Sequence, residues 1–92
     1  MTTMKKFDDH KFANACIYYH DNGAFDLVSY STTVITITGD GWMHINGLYS
    51  VTTIKHIGWF AKMIGTSYQT CKKLFIDNMD MNIYTGEIKA WE

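Results

Sequence analysis

Thr33-Val34-Ile35-Thr36-Ile37-Thr38-Gly39-Asp40-Gly41-Trp42 is the stretch that decides the fold. Over residues 33–38 threonine alternates with β-branched aliphatics, a period of two that sets hydroxyls on one sheet face and Ile35 and Ile37 on the other. Gly39-Asp40-Gly41 then turns the chain into a further extended run, Trp42 to Tyr49. Upstream, Phe12 to Tyr19 and Phe25 to Tyr30 read as two more strands, joined by Asp21-Asn22-Gly23, residues that tolerate positive φ. Two hairpins make a four-stranded antiparallel meander over residues 11–49, whose apolar face needs a cover.

The cover follows in the sequence. Ile54, Ile57, Ala61 and Ile64 recur at helical spacing with Phe60 beside them, Ser50 or Thr52 available as cap and Gly65 just past the end, which predicts a helix over 52–64. Thr66 and Gln69 have the spacing of a capping box, and Tyr68, Cys71, Leu74 and Phe75 form the apolar stripe of a second helix over 67–77. Asn78 to Asp80 reads as a break, and Ile83-Tyr84, Thr85-Gly86 and Ile88 to Trp91 as a terminal extended segment or hairpin returning along a sheet edge. The expected architecture is one α+β domain over residues 1–92, with residues 1–10 a frayed N-terminus. In it a four-stranded antiparallel sheet is covered by a two-helix hairpin, with a C-terminal extended segment. Ile35, Ile37, Ile54, Ile57, Phe60, Ala61, Ile64, Leu74 and Phe75 are the expected core.

At 92 residues, 47% hydrophobic and 18% charged, the chain is too apolar and too little charged for disorder. Proline and arginine are absent; all eight cationic residues are lysines, so no guanidinium fork is present for bidentate recognition of phosphate, carboxylate or guanine. The net charge of −1 surrounds the molecule with no polyanion-binding field, and any basic face must be local. Cys16 and Cys71 lack a metal-type spacing and read as buried thiols. Neither a signal-peptide pattern nor an apolar span of about 20 residues stands out, which points to the cytoplasm.

The most distinctive motif is Tyr49-Ser50-Val51-Thr52-Thr53-Ile54-Lys55-His56-Ile57. Four hydroxyl-bearing residues, Tyr49, Ser50, Thr52 and Thr53, crowd a strand-to-helix junction where helix amides lack partners. His56 falls four residues after Thr52, so it is placed to bond that hydroxyl or a tyrosine from the sheet. The reading to expect is a polar clasp of Ser50, Thr52 and His56 that fixes helix to sheet; the functional alternative is an anion or substrate pocket at the helix N-terminus. Scattered histidines (His10, His20, His44, His56) and turn acids give no metal-ligand spacing and no assembled acid-base pair, so neither an enzyme, a cofactor nor a metal is expected.

Ser29-Tyr30-Ser31-Thr32 followed by Leu48 to Ile57 and Phe60 resembles a family of small uncharacterised phage and prophage proteins that share a Ser-Tyr-x-Thr strand and a Tyr-Ser-x-Thr-Thr-x-x-His-Ile helix start. The resemblance covers roughly residues 25–65. It brings no known activity; it implies a viral origin, work in the cytoplasm of a bacterial host, and the company of small phage proteins that inhibit host machinery, anti-CRISPR and other anti-defence factors among them. An excess of large side chains points the same way: Trp42, Tyr49, Trp59, Met63, Tyr68, Tyr84 and Trp91 exceed what one small core holds. Left outside, such groups are interface anchors. The expected partner-binding set is Trp42, Tyr49, Trp59, Met63, Tyr68, Lys72 and Lys73, for a host protein or complex, with a homodimer as the competing use of the same surface.

Residues 57–76 carry a second pattern. Phe60-Ala61, Ile64-Gly65, Cys71 and Leu74 have the spacing of a helix-turn-helix, on which Ser67, Tyr68, Gln69, Lys72 and Lys73 face DNA. Thr66 stands where such motifs bury an aliphatic, and any αα-hairpin with a glycine turn gives similar spacing, so DNA binding ranks second.

Overall fold

The computed structural model describes residues 3–6, 15–48 and 51–91, and for 3–6, 51 and 52 the backbone alone. Thr32–Ile37 forms a central strand paired on both sides, in line with the alternation, but among the described residues the sheet around it has seven strands and not four. In chain order these are β1 (Thr3–Lys6), β2 (Ala15–Tyr19), β3 (Phe25–Ser29), β4 (Thr32–Ile37) and β5 (Trp42–Ile45), then, after two helices, β6 (Met79–Asn82) and β7 (Ile88–Ala90). Every neighbour pairs antiparallel, and spatial order follows chain order throughout. The meander expectation therefore holds in kind: β7 is the expected terminal segment returning along an edge, while β1 and β6 go beyond the strands expected.

Each departure has a local cause. Thr3–Lys6, expected to fray, pairs along β2 from Thr3↔Tyr19 to Lys6↔Cys16, so a polar stretch is ordered at an edge by main-chain pairing. Asn78 to Asp80, which as turn formers read as a break, overlap β6. Only Asn78 turns, at φ 56; Met79 and Met81 pack toward the core while Asp80 faces the other side, a period of two. Ser29-Tyr30-Ser31-Thr32 is not strand throughout. Ser29 pairs with Thr32, and Tyr30 (φ 51) with Ser31 (φ 71) makes the two-residue turn with both centres left-handed that suits a twisted hairpin. Between Leu27/Ile35 and Val28/Thr33 the register shifts, and the extra residue, Val34, lets Val34 and Ile35 both be buried.

The helices match expectation to within about two residues. α1 (Val51–Met63) packs on β3; α2 (Tyr68–Ile76) packs on α1, β5 and β6. Gly65, at φ +87, makes the turn between them. Ser67 Oγ accepts the Thr70 amide at 3.2 Å as N-cap, in place of the expected Thr66–Gln69 box. Ile35, Ile37, Ile57, Phe60, Ala61 and Leu74 are buried as expected; Ile54, Ile64 and Phe75 are half-buried. Ile17, Leu27, Val34, Met43, Ile45 and Cys71 complete the core. Both helices lie on one side, so the other sheet face is left open.

Candidate functional site

The two halves of the sequence motif meet. Ser29, at the end of β3, places its Oγ 2.8 Å from His56 Nδ1 and 3.2 Å from Thr53 Oγ1, both on α1, while the Tyr30 ring stands 5.8 Å from the imidazole. Thr53 and His56 share a helix face at three-residue spacing. Ser29, Thr53 and His56 are 2%, 3% and 1% exposed, and burial lowers the His56 pKa, so the ring is neutral and exchanges hydrogen bonds with hydroxyls. Ser29, Thr53 and His56 thus clasp helix to sheet; of the residues expected for a clasp, His56 takes part, and Ser50 and the Thr52 side chain, like Tyr49, lie outside the described residues. A serine against a histidine is a nucleophile-and-base pairing. Here a substrate has no approach to it.

The outer surface of the helix layer is different in character. Successive residues on a helix turn by about 100°, so Lys55 and Lys62 lie within about 20° of one another, opposite buried Thr53, Ile57 and Phe60. On α2, Gln69, Lys72, Lys73 and Ile76 are exposed opposite buried Cys71 and Leu74. A Cβ on Gly58 would lie 3.7 Å from the Tyr68 Cβ, so the two helices meet along Gly58 and Tyr68, with lysines on either side. No acid occurs between Asp40 and Asp77. The whole-chain net charge of −1 thus conceals a helix layer with four lysines, against which stands Asp77 at the C-cap of α2.

The acids collect across the sheet. Register sets Tyr18, Asp26, Thr36 and His44 in one row over four strands, and His44 Nδ1 continues it to Asp80 Oδ1 at 2.8 Å, with Asp80 opposite Lys89. His20 Nε2 bonds Asp26 Oδ2 at 2.8 Å, the Lys89 ammonium sits 4.2 Å from the Trp42 ring centre, and Trp91 lies against His44 at 4.7 Å. Shallow hollows of about 470, 350 and 340 Å³ flank these pairs. Among the described residues no group of three His, Cys, Asp or Glu is placed to hold a metal ion.

The expected partner-binding residues do not form one patch. Trp42 is on the open sheet face under Lys89; Trp59 and Met63, four residues apart, are on the flank of α1 away from α2; Tyr68 packs between the helices onto the core; Lys72 and Lys73 point outward from α2. Tyr49 lies outside the described residues. A sheet with a one-sided cover has to part residues that the sequence presents together. Met63 is 46% and Tyr84 68% exposed, whereas Trp42, Trp59, Tyr68 and Trp91 are half-buried. Lys55 and Lys62 were missed, and the acid-free run from Gly41 to Ile76 was the signal for them.

Fold and surface together define a small α+β protein with an open antiparallel sheet, a lysine-bearing helix layer and a sheet face on which Asp26 and Asp80 bond histidines. The chain belongs to a family of unknown function (DUF8033), which it matches over residues 2–78. No curated protein and no solved structure matches it. No helix among the described residues is long and apolar enough to cross a membrane.

Proposed function

We propose that the protein is a phage accessory protein that binds a host macromolecule in the bacterial cytoplasm and blocks it without catalysis, the target being a defence effector such as a CRISPR nuclease complex. The single observation that carries this is the outer face of the helix layer, where Lys55, Lys62, Lys72 and Lys73 stand exposed with Ile76 and, on the flank, Met63. Exposed apolar groups among uncompensated charges suit a docking surface. The resemblance of residues 29–32 and 48–60 to phage and prophage proteins supplies the viral context. Expression in a bacterium whose CRISPR system restricts a phage tests the reading: plating should recover, and charge reversal at Lys72 and Lys73 should abolish the recovery with the protein still folded. Full restriction in the presence of the protein, for each effector class tried, counts against it.

A second reading keeps the helix-turn-helix. Gln69, Lys72 and Lys73 are exposed on α2 while Ala61, Cys71 and Leu74 are buried, the division that base readout by α2 needs. Selection of a preferred duplex from a random pool supports it; enrichment of none removes it.

A further inference from the structure

We infer that the outer face of α1 and α2 binds a nucleic acid through its phosphates, without reading bases. The inference deepens the proposed blocking function and rests on it for its biological setting: the surface occupied on the effector is its nucleic acid. Three observations carry it. Lys55 and Lys62 stand two helical turns apart, about 10 Å along α1, and Lys72 and Lys73 stand on the helix packed against it, so the four cations spread over two helices rather than one point. The one acid beside them is Asp77, exposed at the C-cap of α2 four residues after Lys73; from Gly41 to Ile76 there is none. A protein partner's surface mixes both signs and is met by both signs, whereas a face on which cations outnumber acids four to one suits a uniform polyanion. Lys89, the other lysine whose side chain is described, lies opposite Asp80 on the open face, which also carries Asp26, so among the described residues the helix layer is the face that suits a phosphate backbone. Lysine, a point charge without a fork, suits phosphate and not the bidentate reading of guanine.

The test is fluorescence anisotropy of the full chain with labelled random-sequence DNA and RNA duplexes over about 50 to 200 mM salt. Four phosphate contacts give a slope of log affinity on log salt of about −3.6, a loss of roughly a hundredfold across that range. Lys55→Ala, Lys62→Ala, Lys72→Ala and Lys73→Ala should each flatten the slope by about 0.9, with little change between sequences. Asp26→Asn on the open face should leave the slope unchanged. All four lysines are exposed, so these variants should keep the wild-type melting curve, which circular dichroism checks. A slope shallower than about −1, slopes unmoved by the four substitutions, or competition by polyglutamate as effective per charge as by DNA would overturn the inference. So would more than about tenfold discrimination among sequences, which assigns the face to base readout. Blocking that survives in the quadruple variant while duplex binding is lost defeats the inference and spares the blocking function; loss of blocking with duplex binding intact in the wild type does the reverse.

Discussion

His56 stores most of the pH sensitivity that the interior can supply. Its folded pKa is depressed by burial, so the unfolded chain, with a histidine near the ordinary value of about 6.5, takes up a proton at a higher pH than the folded one. Stability is complete above that value and falls as pH drops from about 6.5 towards the folded pKa. Thermal melts between about pH 8 and 5 should show this decline, and His56→Gln should reduce it. At neutral pH His56→Ala should cost about 2–4 kcal/mol, because it opens a void and strips a partner from the buried Ser29 hydroxyl. An unchanged melting temperature would mean that the clasp contributes nothing. Gly41 is constrained in another way: its φ is +99, and a Cβ would run into the Tyr84 ring and lie 2.9 Å from Asn82 Oδ1. Gly41→Ala should destabilise by about 1–3 kcal/mol, and Tyr84→Ala in the same chain should return only part of it, since the Asn82 contact and the backbone strain stay. Thiol chemistry separates the two cysteines. Cys71 is fully buried with its pKa pushed up to about 11, so it should react with a thiol reagent only on unfolding, while half-exposed Cys16 reacts in the native state.

Among the elements, α2 and the last hairpin depend on single polar residues. Ser67→Ala removes the cap on the Thr70 amide and should cost about 1 kcal/mol, some 4–8 °C in melting temperature for a chain of this size. Asn82 is 5% exposed; its side chain accepts from the Tyr84 and Thr85 amides and donates to the Asp40 carbonyl, tying the β6–β7 turn to the β4–β5 turn. Helix spacing at Ile57, Ala61 and Ile64 and the Thr-Ile alternation of β4 were legible because each repeats one period over several turns or residues. β6 was hidden because its four residues alternate two methionines with an acid and an amide, next to Asn78, which does turn the chain. The Tyr30-Ser31 turn escaped because neither residue favours positive φ; the hairpin and the His56 ring contact hold it there.

For the whole molecule, the partition of charge matters more than its sum. A net charge of −1 argued against polyanion binding, yet four lysines gather on the helix layer and acids such as Asp26 and Asp80 on the opposite face. The exposed Met63 and Ile76 remain open to a second copy, the competing occupant named from the sequence. Light scattering should give a monomer across the salt range used for nucleic-acid binding; a dimer that dissociates on Met63→Lys would assign that flank to self-association. The sequence by itself determined what is local and periodic: strand, turn and helix in the right order, most of the central core, and a junction motif whose hydroxyls and histidine belong together. Tertiary structure alone decided which residues meet across long separations, such as Ser29 with His56, 27 residues apart, and which are parted. The physical reason is that periodicity fixes the face of an element a side chain occupies, while the facing neighbour is set by the register and layering of the whole sheet.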